Sequence, residues 1–469
     1  MRPGIELAGK RVLVLGLART GIATAQFCAA RGALVTAMDD RPAEQFGEAM
    51  AQLRPLGCTL LFGGAPGSDS TAVFSAQDLL VPSPGVPANH AALVAARAAG
   101  VPVWSEIELA WRFLRGRLVG VTGSNGKTTT TSLIGHILKS AGRPAVVAGN
   151  IGTPLIACAD ETSDKSITVA ELSSFQLECI DSFRPDVAVF LNLTPDHLDR
   201  HASFEDYARA KARIFENQTE RDAAVINADD SAAAQRAPAR PQIFWFSREK
   251  RVASGAYVRG DQILFRQDGE DISLLRRADI ALRGEHNLEN VLAAASVAFL
   301  AGAAPEEIAA GVRTFPGVEH RLEFVAEISG VSFFNDSKAT NVDATIKALE
   351  SFSGGLLVIL GGKDKGGDYA PLIPLLRERA RQVLLIGAAA EKIAAQLEGA
   401  VPLERAGTLE RAVALAFERA RQGETVLLAP ACASFDQFEN YEHRGRVFKQ
   451  LVGELAEAPP AVRARGGEV

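Results

Sequence analysis

Residues 117–140, RLVGVTGSNGKTTTTSLIGHILKS, leave a chain few ways to fold. The apolar run at 117–122 reads as a strand, and the small residues at 123–126 read as a turn. Leu133, Ile134, Ile137 and Leu138 then share one face of a helix. A strand that enters a helix through a glycine turn belongs to a sheet with helical crossovers, and so to the α/β class. The turn also points unpaired N–H groups and the positive helix end at one spot, which suits phosphate. Gly123 and Gly126 let the backbone approach a ligand, with Ser124 and Asn125 between them. Lys127 supplies a point charge, Thr128 a hydroxyl for magnesium, and Thr129 extends the first helical turn. The spelling departs from the general phosphate loop, because Val121 stands where its first glycine is expected. The competing reading is a glycine-rich turn with no ligand.

At 469 residues the chain has room for about three domains. Residues 11–16, 33–40 and 78–86 are β-like runs separated by helical stretches, which predicts a doubly wound parallel sheet, and 101–114 reads as a connecting strand and helix. A second α/β unit opens at 117 and continues through runs at 167–174, 186–194 and 223–230. Alternating residues at 255–275 predict antiparallel hairpins attached to it, and 286–302 a closing helix. After Pro316 and Gly317, apolar runs at 356–362, 382–388 and 424–431 predict a third sheet. The expected architecture is three consecutive α/β domains: Rossmann-like at 1–106, P-loop ATPase-like at 107–316 and Rossmann-like again at 317–469. The tail 457–469 reads as disordered.

A net charge of −6 argues against a nucleic-acid surface. No apolar run reaches about 18 residues and no leader-like segment opens the chain, so a cytoplasmic protein without membrane insertion is expected. Cys28, Cys58, Cys158, Cys179 and Cys432 are scattered, which predicts reduced thiols rather than disulfides or structural zinc.

Other strings carry weaker signals. Glu171 ends a β-run, where a carboxylate can hold a nucleotide's magnesium or simply face solvent. His197, Asp199 and His201 bunch after the next run, as a metal or phosphate site or as a polar loop. Lys211, in the helical stretch 204–217, reads from composition as a solvated surface lysine. GLARTG at 16–21 resembles a dinucleotide turn, but Ala18 replaces the glycine that touches a pyrophosphate, so NAD or FAD is disfavoured. Asp39 can still bond a ribose or pyrimidine. Lys338, Thr340, Lys365 and Ser434 follow apolar runs and suit an amino acid's carboxylates, although each alone also reads as a loop residue.

Together GLARTG, SPGV, TGSNGKTTT, GNIGTPL, ELSSFQLE, NLTPDHLDRH, AKARIFEN, GEHNLENVLAA, HRLE, NDSKATN, GGKDKGGDY and ACASFDQFENYEHRG resemble, in order, the Mur ligases. NDSKATN points within them to the D-glutamate-adding branch. The resemblance implies ATP-dependent ligation of D-glutamate to UDP-N-acetylmuramoyl-L-alanine through an acyl phosphate, by a monomer using two magnesium ions. It implies catalytic roles for Lys127, Glu171, His197 and Lys211, and a metal set of Thr128, Glu171, His197 and a carbamylated Lys211. That last role overturns the surface reading of Lys211. ATP would further meet Asn287, Asn290, Arg321, Asp336 and Lys338. The UDP substrate would meet Arg19, Thr20, Asp39, Arg41, Ser83, Gly85 and Asn150. Thr340, Lys365, Ser434, Phe435 and Tyr441 would hold D-glutamate. Two positions depart from the family pattern: Tyr441 where phenylalanine is expected, and Ala18-Arg19 in place of glycine and an apolar residue. A folylpolyglutamate-synthase-like ligase and a P-loop regulator without ligase activity are the alternatives.

Overall fold

The computed structural model describes all residues except 1, 3, 64–69, 198–199, 281, 283, 365 and 458–469. Two compact units result: Met1–Ala281 with Glu289–Phe315, and Leu282–Leu288 with Pro316–Val469.

The first unit holds two sheets. The smaller is parallel, in the order Thr59–Phe62, Leu34–Asp39, Arg11–Leu15, Leu79–Pro82. The larger has nine strands, with Arg117–Thr122 between Ile167–Glu171 and Val187–Phe190. Both neighbours are parallel to it and buried on both faces, which accounts for their unbroken apolar spelling. The expected hairpins appear as Gly255–Arg259, Gln262–Gln267 and Glu270–Arg276, antiparallel extensions of this sheet. The segment expected as strand and helix at 101–114 makes only an isolated bridge, Leu80 to Val103, before the helix Glu106–Phe113. Ile107, Leu109, Ala110 and Trp111 of that helix join one apolar core with Val12 and Val14 of the small sheet and Leu118 of the large one. The junction between the two sheets is therefore packed as an interior.

The second unit has a six-stranded sheet in the order Glu323–Ile328, Val331–Asn335, Thr425–Leu428, Leu356–Gly361, Ala380–Ile386, Leu403–Gly407. Only the first of these runs antiparallel to its neighbour. The strands Thr59–Phe62, Ala145–Gly149, Gln242–Ser247 and Glu323–Ile328 fall outside the runs expected from the sequence. All five cysteines are buried free thiols. Among the described residues no helix is long and apolar enough to cross a membrane.

Candidate active site

Val121 is an interior strand residue, paired with Glu171 on one side and Val189 on the other. The turn begins two residues later, so the displaced glycine reflects where the strand ends. Gly123 and Gly126 have φ of +151° and +82°, the region that favours glycine. The turn is laced to the segment after Val187–Phe190. Asn192 accepts from the Asn125 N–H at 2.8 Å, and its backbone oxygen accepts from Ser124 N–H at 2.9 Å. Ser124 Oγ also meets Tyr207 Oη at 2.9 Å. Lys127 begins the helix Lys127–Ser140, and its ammonium folds back over the turn to the carbonyls of Gly123 (2.9 Å) and Ser124 (2.8 Å). These bonds preform the cradle around the helix's positive end.

Glu171 ends its strand at 2% exposure. One carboxylate oxygen accepts from Thr128 Oγ1 at 2.8 Å and the other from Asn150 Nδ2 at 3.0 Å. A hydroxyl oxygen and a carboxylate pressed together at the phosphate end of a helix form a hard-oxygen donor pair suited to magnesium.

Lys211 corrects the composition-based surface reading, because it is 2% exposed. Its helix, Phe204–Ala212, turns Tyr207 and Lys211 to one side, with the ammonium 4.8 Å from the ring centroid. Among the described residues no carboxylate lies within ion-pair distance of it. Burial holds its pKa well below the usual lysine range, the Lys127 charge adds to that, and Asp196 and Glu171 oppose it.

His197 has φ of +53° and a half-exposed ring, 5.1 Å from Phe175 and 6.4 Å from Tyr207. His201 is a structural histidine instead. It is buried, stacks on Phe175 at 5.3 Å, and meets Ser174 Oγ at 3.0 Å and Glu178 Oε1 at 3.2 Å. Asp199, which the sequence grouped with these histidines, lies outside the described residues. Among the described residues no three His, Cys, Asp or Glu side chains form a metal cluster.

A cleft of about 550 Å³ opens beside the small sheet, and Thr20, Asp39, Arg41, Ser83, Gly85 and Asn150 all line it. Asp39 accepts from the Leu17 N–H at 2.8 Å and the Arg41 guanidinium at 2.9 Å, so it both locks the GLARTG turn and anchors Arg41. Burial raises its pKa, but the Arg41 and backbone bonds outweigh that and leave it lowered. Arg19, expected near UDP phosphates, donates to the Gly152 carbonyl at 2.8 Å. Sequence reasoning missed Arg200, which donates to the carbonyls of Gly85 (3.0 Å) and Val86 (3.1 Å) and stacks on Phe175. It also missed Asn192 and Tyr207. The available signals were a polar residue two positions beyond a strand and the four-residue spacing from Tyr207 to Lys211.

Asn290 belongs to the first unit, where it accepts from Thr130 Oγ1 at 3.2 Å. In the second unit a pocket brings together His286, Arg321, Asp336, Lys338, Ala344 and Lys347. Burial pushes Asp336 up to about 6 against the pull of Arg321. Burial, with Arg321 and Lys347, lowers His286 to about 4. Asn287 is buried in this same unit. Lys338 lies 5.6 Å from the Tyr441 ring, and Ser337 Oγ donates to the Tyr441 carbonyl at 2.8 Å. Buried Arg444 ties Ser337 to the Cys432 carbonyl, bringing NDSKATN and ACASF into one locality. Ser434 is buried, Thr340 half-buried and Phe435 exposed. Lys365 lies outside the described residues.

Three family models match the chain: "Mur ligase MurD-like, N-terminal domain" over 10–105, "Mur ligase middle domain" over 121–298, and "Mur ligase, glutamate ligase domain" over 320–432. A UDP-N-acetylmuramoylalanine--D-glutamate ligase of Koribacter versatilis is 53% identical, across 97% of this chain and 99% of that one. The enzyme of the same name from Acidobacterium capsulatum is 54% identical across 96% and 97%. Among solved structures, the UDP-N-acetylmuramate-alanine ligase MurC from Thermotoga maritima shares the fold with a TM-score of 0.59, at 18% identity and covering 95% and 99% of the two chains. A pseudomurein peptide ligase type C from Methanothermus fervidus does so with a TM-score of 0.58, at 20% identity and covering 95% and 100%. With family-model matches over 10–105, 121–298 and 320–432 and relatives above 50% identity over nearly its whole length, the chain belongs to the Mur ligase family.

Proposed function

We propose that this chain joins D-glutamate to UDP-N-acetylmuramoyl-L-alanine at the expense of ATP, in the synthesis of peptidoglycan precursors. The observation that carries the reading is the chain Thr128–Glu171–Asn150. It runs from the phosphate loop directly into the cleft, because Asn150 both bonds Glu171 and lines that cleft. This continuity supports a phosphoryl donor on the loop acting on a carboxylate acceptor in the cleft. The match to relatives of that name over nearly the whole chain supports the same reaction.

In this reading residues 1–106 grip the UDP group through Arg19, Thr20, Asp39, Arg41, Ser83 and Gly85. Residues 107–316 bind ATP, and 317–469 supply Thr340, Lys365, Ser434, Phe435 and Tyr441 for the amino acid. Asn287, Asn290, Arg321, Asp336 and Lys338 serve the nucleotide. The substrate carboxylate takes the γ-phosphoryl group of ATP and ADP departs. The amine then attacks the acyl carbon, and phosphate leaves as the amide forms. Lys127 and the helix end offset negative charge while the phosphoryl group moves. His197 accepts a proton from the incoming ammonium before it attacks, since only the neutral amine is nucleophilic.

Thr128 and Glu171 would hold magnesium, which when bound neutralises phosphate charge. His197 completes the expected metal set. Lys211, buried and without a carboxylate at ion-pair distance among the described residues, suits reaction with carbon dioxide: its amine loses a proton readily, and the resulting carbamate would add oxygen donors near Glu171. In this reading the chain acts as a monomer in the cytoplasm.

The match of an N-terminal MurD-like model over 10–105 disfavours a folylpolyglutamate-type ligase. Phosphate release with ATP, magnesium and UDP-N-acetylmuramoyl-L-alanine should depend on D-glutamate, with L-glutamate and other amino acids ineffective. Release that is indifferent to the amino acid would refute the reading.

A further inference from the structure

Tyr369 is 1% exposed, and its hydroxyl stands between two strings that are far apart in sequence. It lies 2.9 Å from Asp364 Oδ1 and 3.0 Å from Cys432 Sγ. The second Asp364 oxygen accepts from Lys392 Nζ at 2.7 Å. That bond holds the carboxylate below the usual range, so at neutral pH it is ionised and can only accept. Tyr369 must then give its single proton to Asp364, and the Cys432 thiol must donate to Tyr369. The result is a directed chain from Cys432 through Tyr369 to Asp364, closed by Lys392.

A second tie runs parallel to it. The Lys363 N–H donates to the Ala433 carbonyl at 2.8 Å, in an isolated antiparallel bridge. GGKDKGGDY (361–369) and ACASF (431–435) are thus braced twice, once by backbone and once by side chains, through the buried Tyr369 and Cys432. Ser434 directly follows Ala433, and Lys365 directly follows Asp364 in sequence.

We propose that the chain Lys392–Asp364–Tyr369–Cys432 is a positioning device that sets the spacing between the two segments receiving the amino-acid substrate. Through that spacing it selects the length of the dicarboxylic amino acid. The inference rests on the glutamate-binding role given above to these segments. The bridging Tyr369 and Cys432 are both 1% exposed and have little freedom to move apart, so a substrate shorter by one methylene leaves one carboxylate unmet. Asp364, Tyr369, Lys392 and Cys432 touch no substrate in this scheme and act through the segments they join.

The test uses the full-length enzyme and phosphate release, with D-glutamate or D-aspartate as acceptor. Tyr369→Phe keeps the ring and removes the bridging oxygen. It should raise the KM for D-glutamate about tenfold, equivalent to about 1.4 kcal/mol, leave the KM for ATP unchanged, and narrow the preference over D-aspartate. Cys432→Ala should shift the same way, and Cys432→Ser, which restores a donor, should return toward wild type. Lys392→Ala alters only a partly exposed ammonium, so it tests the chain even if Tyr369→Phe fails to fold; a rise of about twofold is expected. Unchanged KM and preference in all variants overturn the proposal, as does an equal loss toward all three substrates. Wild-type enzyme with no D-glutamate dependence would instead overturn the proposed function.

Discussion

Replacing Gly126 by alanine should weaken ATP binding and lower stability together. Gly126 sits at φ +82°, and a side chain there costs roughly 1–2 kcal/mol. An added Cβ would lie 2.3 Å from Asn290 Oδ1 and 3.2 Å from its Cγ. Asn290 is buried and accepts from Thr130 Oγ1, so moving it aside forfeits a bond worth about 0.5–1.5 kcal/mol. The sum is about 2–3 kcal/mol. Gly142, just beyond the other end of the same helix, has φ +69° and an added Cβ would meet nothing within 4 Å. Gly142→Ala therefore carries the backbone strain alone. Denaturant titration should place Gly126→Ala about 1 kcal/mol below Gly142→Ala, the difference being the collision with Asn290. Calorimetric titration with ATP should show at least about a tenfold loss of affinity in Gly126→Ala and none in Gly142→Ala. Equal ATP affinity in the two variants would refute the reasoning, since the turn would then not be holding phosphate in this conformation.

Lys211→Ala should cripple turnover, and short carboxylic acids should restore part of it by standing in for a carbamate; wild-type turnover would remove Lys211 from the mechanism. Glu108 is fully buried and accepts from Arg112 and from the N–H groups of Asp181 (2.9 Å), Ser182 (3.0 Å) and Phe183 (2.6 Å). Glu108→Ala orphans these donors and breaks a buried ion pair with Arg112, so it should lower unfolding free energy by about 3–5 kcal/mol, against under about 1 kcal/mol if water replaces the carboxylate. Asp336 and His286 should oppose each other in acid. Asp336, raised from 3.8 to about 6, stabilises the fold fully below 3.8 and loses that contribution as pH climbs through 6. His286, lowered from 6.5 to about 4, adds stability that is present above 6.5 and lost as pH falls through 4. Between pH 4 and 6 the slopes cancel in part, so Asp336→Asn should make stability rise more steeply with pH and His286→Gln should reverse that trend. Identical denaturant midpoints across this window in both variants would exclude the pair as titrating groups.

Much of the architecture was legible because buried parallel strands must be apolar throughout. Runs such as 117–122, 187–190 and 356–361 announce themselves without any partner being known. Edge strands such as Glu323–Ile328 and Leu403–Gly407, interrupted by charged residues, lack that signal, and only pairing with a neighbour makes them strands. The phosphate loop was equally legible, since glycine, lysine and threonine at fixed offsets follow from local backbone geometry. Lys211 was not. Nothing in the composition of 204–217 separates a buried lysine from a solvated one, and only family resemblance singled it out.

The sequence by itself therefore determined the α/β class, the glycine turn that opens the Lys127–Ser140 helix and the membership that its ordered motifs imply. These depend on residues that are near one another in the chain or on patterns repeated along it. Tertiary structure alone decided that Thr128, Glu171 and Asn150 form one line from the loop to the cleft, since 43 residues separate the first pair and 21 the second. It also separated His201, with its structural partners, from His197, and it braced Asp364 against Cys432 through one tyrosine hydroxyl. The physical reason is the same in each case. Burial and hydrogen-bond partnership are properties of residues distant in the chain, and a side chain's chemistry is set by what folding places around it.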